Sequence, residues 1–262
     1  YRDFREFGKK QLRAIFAAHF HKREEHLEFP SRISGLKILF SDIRKAGEIS
    51  AIEELIEEAK QEFIAGILQD PELQASLSVE VDKISGAIDQ IPIGYMFEHT
   101  KTVEKAESVF SEIEKVRSGK PVVRFVGIGT NDITKSILQE REDGEGSLTQ
   151  LNPQLVADIW KITQAARAHQ VPVTLEGEWG NSASMLFTLL VLRLAEGLEI
   201  TPVAATSRIP ELLEVARHTK AEDLDINNFA ELVLKAAWGE SLPSVEELDE
   251  AALEVETRLN NR

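Results

Sequence analysis

The chain has 262 residues, a formal net charge of −15, 42% hydrophobic residues and no cysteine. The hydrophobic share is enough for a packed core and excludes global disorder. The acidic balance argues against a nucleic-acid partner, whose phosphates call for a basic surface, and the missing cysteine removes disulfides, thiolate metal sites and thiol catalysis.

Residues 9 to 28 pattern as a helix that turns very polar toward its end, and residues 36 to 40 read as a strand. Ser50 with Glu53 has the pattern of a capping box. The helix predicted after it places Ile52, Leu55, Ile56, Ala59, Phe63 and Ile67 on one face. Residues 69 to 90, polar and containing Pro71, read as an insertion with no assigned structure. Residues 93 to 98 form the next expected strand. Val103, Ala106, Phe110 and Ile113 make a helix stripe that ends near Gly119. A strand over 122 to 127 leads into "GIGTNDIT", residues 127 to 134. Asn152 and Pro153 start another helix as cap and first-turn proline. A strand over 171 to 175 follows, then an apolar helix over 182 to 196 closed by Gly197, then a fifth strand over 198 to 203. Three mostly helical segments finish the chain, the last capped by Ser244 with Glu247.

Alternating strands and helices predict an α/β fold with a parallel sheet and helices outside it. The pattern is TIM-barrel-like. About five strands are legible where a complete barrel has eight, so an incomplete or atypical barrel with extra helices is expected. It is read as a single domain over residues 1 to 262, with a helical C-terminal extension over 221 to 262. The start at Tyr1, with neither a secretory pattern nor an initiating methionine, reads as a fragment or a processed chain. No run of ~18 apolar residues occurs, so no membrane partner is expected, and a cytoplasmic location is the plain reading.

In parallel sheets the C-terminal strand ends carry the chemistry. Here those ends offer Glu98, Asn131 with Asp132, and Glu176 with Glu178, and Arg141 follows one helical stretch after Asp132. Paired carboxylates such as Glu98 and Asp132 suit Mg²⁺, a glycine turn suits phosphate oxygens, and an arginine adds a charge-assisted contact. Spacing alone leaves open a solvated loop in which Asp132 merely caps a helix. His19, His21 and His26, with Glu24 and Glu25, read as a solvated helix face. Trp160 and Trp238 read as packing residues, and Trp179 as packing or as a cover over the strand ends. Residues 240 to 256 read as an acidic surface helix with Leu248 and Val255 inward.

"GIGTNDIT" resembles the "GTND" segment of phosphoenolpyruvate-utilising enzymes, especially the C-terminal barrel of phosphotransferase-system enzyme I. Further segments agree in order from about Gln11 to Pro210. Residues 11 to 15 read "QLRAI", as in that family. Residues 36 to 40 resemble the strand before its "FPM", and residues 93 to 98 its "IGVMVE". Gln139-Glu140-Arg141 stands in the place of its "DR", and residues 175 to 178 in that of its "MCGE". The resemblance implies that Glu98 and Asp132 hold Mg²⁺, that Asn131 contacts phosphate, and that Arg13 and Arg141 bind an anionic substrate, phosphoenolpyruvate or a keto acid. Family members transfer phosphate from phosphoenolpyruvate and protonate the enolate to pyruvate.

The departures from the family pattern are equally specific. The proton-donating cysteine is Glu176 here, and a substrate-binding arginine is Lys37, without the planar fork. "FPM" becomes Phe40-Ser41-Asp42, and the proline after the metal glutamate becomes His99-Thr100. The family's leading strands would lie before Gln11, and its phosphorylatable histidine domain is not in this sequence. Two expectations follow. One is a phosphoenolpyruvate-binding domain with weakened or lost phosphoryl transfer. The other is a catalytically degenerate barrel used for dimerisation, assembly or regulation, as a homodimer or against an upstream segment.

Overall fold

In the computed structural model, the described residues are 2–21, 36–118, 124–140, 151–177, 182–203, 208–224, 228–239 and 241–261. The strands are β1 (Ile38–Ile43), β2 (Ile93–Phe97), β3 (Arg124–Gly129), β4 (Val173–Glu176) and β5 (Ile200–Pro202). They form one sheet in the order β1-β2-β3-β4-β5, with β3, β4 and β5 paired in parallel. The protein is therefore a mixed α/β fold whose strand order advances without reversal. A doubly wound sheet reverses its order part-way; this one does not.

Contacts divide the chain into two compact units. The first comprises residues 1–39, 46–94 and 112–124; the second comprises 40–45, 95–111 and 125–262. In the first unit, α1 (Arg2–Phe20) packs on α2 (Gly47–Gln69). Leu12, Phe16 and Phe20 are buried from α1, and Ala59, Phe63 and Ile67 from α2, with the Phe16 and Phe63 rings 5.9 Å apart. Ion pairs from Arg5 to Glu58, Lys9 to Glu62 and Arg13 to Glu62 run along the seam. Arg124 closes a fork on Glu53, at 2.7 and 2.8 Å, with side chains only 3% and 9% exposed.

Two expectations are corrected here. Helix α2 begins at Gly47, so Ser50 lies inside it, and its hydroxyl donates to Glu112 rather than capping the helix. The cap position falls to Ala46, which offers no side-chain bond, and the polar signal at Ser50 stands four residues further into the helix. Residues 69 to 90 are not an unassigned insertion. They form α3 (Pro71–Ser76), capped by Asp70, and α4 (Val81–Asp89), which buries Ile84 and Ile88.

After β2 come α5 (Thr100–Val103), in the second unit, and α6 (Ala106–Arg117), whose residues from Glu112 on belong to the first; α7 (Thr130–Glu140) follows β3 in the second unit. The remaining helices are α8 (Pro153–Ala168), α9 (Ala183–Glu196), α10 (Ile209–His218), α11 (Phe229–Trp238) and α12 (Val245–Asn260). Asn152 caps α8, Gly197 closes α9 at φ 64°, and Ser244 with Glu247 forms a complete capping box on α12. Helix α11 packs on α8 and α9, and α12 on α9 and α11. Leu248 and Val255 are fully buried, so the acidic last helix is tied into a core. Trp238 is 46% exposed and its indole N–H donates to Glu196, so it is not the packing residue expected. No described helix is long and apolar enough to cross a membrane. His26 and Trp179 lie outside the described residues.

Candidate functional site

The glycine-rich motif contains no loop. Strand β3 runs through Gly129, and α7 starts at Thr130, so "TND" is the first turn of a helix. Strand β3 is buried along its whole length, as suits a central parallel strand. The motif's glycine therefore serves close approach, not a turn. A Cβ on Gly129 would stand 2.8 Å from Cγ of Glu98 and 3.1 Å from Sδ of Met96. The Glu98 side chain, one residue past β2, thus lies directly on the last residue of β3.

The next strand end is joined in a similar way. The Thr130 hydroxyl donates to the backbone oxygen of Glu176 at 2.8 Å. Gly177 follows at φ +111°, where a Cβ would meet Thr130 Oγ1 at 2.6 Å and Asn131 Oδ1 at 2.9 Å. Glycine alone accommodates both that backbone angle and that contact. The ends of β2, β3 and β4 therefore meet through Glu98, Gly129, Thr130, Asn131 and Gly177.

The first strand joins this rim through a cluster that sequence reasoning does not single out. The backbone N–H of Asp42, at φ 60°, donates to Glu98 Oε2 at 2.5 Å. The Asp42 carboxylate takes a fork from Arg44, Nε and Nη2 both at 2.9 Å, and lies 2.6 Å from His99 Nε2. Arg44 first, then His99, holds the Asp42 carboxyl below its ordinary value. The one signal in the sequence is that Asp42 and His99 both stand where the resembling family carries other residues. Adjacency of β1 and β2 turns those two departures into one contact.

The expected site residues fall into distinct places. Glu98, Asn131 and Glu176 are half-buried on the rim just described, and Asp132 is exposed in the first turn of α7 with Oδ1 on Lys135 Nζ at 2.8 Å. Glu176 Oε1 accepts the Thr174 hydroxyl at 3.1 Å. Arg13 belongs to the first unit and is paired with Glu62 at 2.8 Å. Lys37, also in the first unit, is exposed and immediately precedes β1, at the end of that strand opposite its C-terminus. Arg141 and Glu178 lie outside the described residues.

As a cation site the donor set fits in kind. Glu98 Oε1 and Asp132 Oδ2 take no hydrogen bond among the described residues, and hard carboxylate oxygens supplemented by ligand oxygens and water are what Mg²⁺ takes. No group of three or more His, Asp or Glu side chains arranged for a metal occurs among the described residues.

No protein-family model matches the chain, and no curated protein matches it. Among solved structures, a citrate lyase from Burkholderia xenovorans LB400 is similar with a TM-score of 0.44 and 13% identity, over 97% of this chain and 68% of that one. At that score the likeness specifies neither a fold family nor an activity.

Proposed function

We propose that the chain is a barrel-type domain of the phosphoenolpyruvate-utilising kind, which binds a small phosphorylated or keto acid with Mg²⁺ and has little or no turnover. The supporting observation is the seat of Glu98 on Gly129, which sets a carboxylate from one strand end beside the helix turn that carries Asn131 and Asp132. In this reading Glu98 and Asp132 hold Mg²⁺, which neutralises the anionic oxygens of the ligand. Asn131 contacts the phosphate. Glu176 stands where the resemblance implies the proton donor, yet its Oε1 serves as an acceptor for Thr174. Glu176 brings no thiol to that position, which fits a site with little or no turnover.

Calorimetric titration of phosphoenolpyruvate, oxalate and pyruvate, with and without Mg²⁺, tests this reading. Mg²⁺-dependent binding that is lost in Glu98→Gln is expected, with no pyruvate formed in a coupled assay. Failure of all three ligands to bind in the presence of Mg²⁺ refutes it.

A second reading, a degenerate barrel retained for assembly, is favoured by α10. None of its residues is buried, and Ile209 and Leu213 are 42% and 52% exposed. Sedimentation that shows a dimer, dissociated by Leu213→Glu, would select it.

A further inference from the structure

On the rim, several donors converge on one carboxylate, and that carboxylate belongs to the protein. The guanidinium of Arg44 makes two parallel contacts to Asp42, one to each oxygen, and His99 adds a third to Oδ1. Asp42 is ionised and can only accept, so Nε2 of His99 carries the hydrogen and donates. An arginine fork plus one further N–H is the arrangement with which proteins hold a planar carboxylate ligand. The aspartate reaches it with its backbone in the left-handed region, uncommon outside glycine although aspartate tolerates it. Such outliers cluster at ligand clamps and active sites.

Accessibility points the same way. The Asp42, His99 and Arg44 side chains are 52%, 37% and 65% exposed, so an external anion reaches them without opening a core. Exposed ion pairs contribute little stability, which keeps the cost of displacing Asp42 small. In a chain of net charge −15 an anionic ligand needs a local set of donors, and this rim supplies one.

We propose that Arg44 and His99 form a seat for the carboxylate of a small ligand, and that the Asp42 side chain fills this seat as a built-in competitor. The inference rests on the reading of this rim as a ligand site and names its carboxylate end. Ligand exchange moves the Asp42 side chain off the fork while its N–H remains available to Glu98.

Asp42→Gly tests it directly, because glycine keeps the backbone angle and the N–H but empties the seat. Thermal unfolding is followed in formate, acetate and oxalate against chloride at matched ionic strength, without Mg²⁺. A saturable rise in melting temperature with carboxylate is expected for Asp42→Gly, with a half-effect concentration about tenfold lower than in the parent. The rise disappears in Asp42→Gly/Arg44→Ala. Equal responses in parent and Asp42→Gly, or a response that survives loss of Arg44, overturn the proposal. Asp42→Asn removes the competitor's charge but leaves an amide oxygen in the seat, so if the glycine variant does not fold a smaller shift in the same direction is expected, and no shift overturns the proposal. Since no Mg²⁺ is present, failure here leaves the Mg²⁺-dependent reading to the Glu98→Gln calorimetry.

Discussion

Replacing Gly129 with alanine puts a methyl group where Glu98 now lies. The new Cβ would be 2.8 Å from Glu98 Cγ and 3.1 Å from Met96 Sδ, whereas carbon atoms pack comfortably at roughly 3.5–4.0 Å. The methionine thioether can swing aside. Glu98 Cγ sits one bond from its Cβ and moves only by rotating the whole side chain, which withdraws Oε2 from the Asp42 N–H. Overpacking of this kind costs about 1–3 kcal/mol. Reduced freedom of the unfolded chain offsets about 0.4–1 kcal/mol of it. The expected net loss is about 1–2 kcal/mol, or roughly 2–8 °C in Tm for a chain of this size. Gly66 is the control. It lies within α2, and a Cβ added there would meet nothing within 4 Å, so Gly66→Ala is expected to stabilise by about 0.5–1 kcal/mol. Urea unfolding of both variants, paired with Mg²⁺-dependent ligand titration, reads stability and the site separately. If Gly129→Ala matches Gly66→Ala in stability and still binds ligand, Glu98 does not sit on β3 as described and does not belong to the ligand site.

Arg124→Leu removes the guanidinium fork from buried Glu53 and is expected to cost about 3–5 kcal/mol by chemical denaturation, much of it recovered in Arg124→Leu/Glu53→Leu. Ser244→Ala removes a capping box and is expected to cost about 1 kcal/mol, with α12 protected less in hydrogen exchange. Burial raises the carboxyl pKa of Asp249, which accepts the Leu151 N–H. A raised folded-state pKa gives stability that is present below the ordinary aspartate value and lost as pH rises through the raised one. Asp249→Asn keeps an acceptor without the charge, so it is expected to gain on the parent across that window and to match it below; a gap independent of pH contradicts the assignment.

Much of the local structure is legible in the sequence because its causes are local. The cap at Asn152, the glycine stop at Gly197 and the Ser244–Glu247 box act within a few residues of one another, and the structure places all three where the sequence does. The strand–helix alternation likewise predicts a parallel α/β sheet, since helical crossovers impose that direction. Segments whose structure depends on distant partners are not legible in this way. Residues 71 to 89 are polar enough to pass for a loop, but Ile84 and Ile88 find a buried face and make α4 a helix.

The residues singled out as candidates show the same division. Carboxylates at strand ends are visible in a linear chain, so pattern and resemblance are enough to name Glu98, Asp132 and Glu176. That Glu98 rests on Gly129, that Gly177 admits Thr130 and Asn131, and that Asp42 fills a fork made by Arg44 beside His99 are decided by which strands are neighbours. Asp42 and His99 are separated by 57 residues. No spacing rule connects positions so far apart; adjacent strands in a sheet, about 4.8 Å from each other, do.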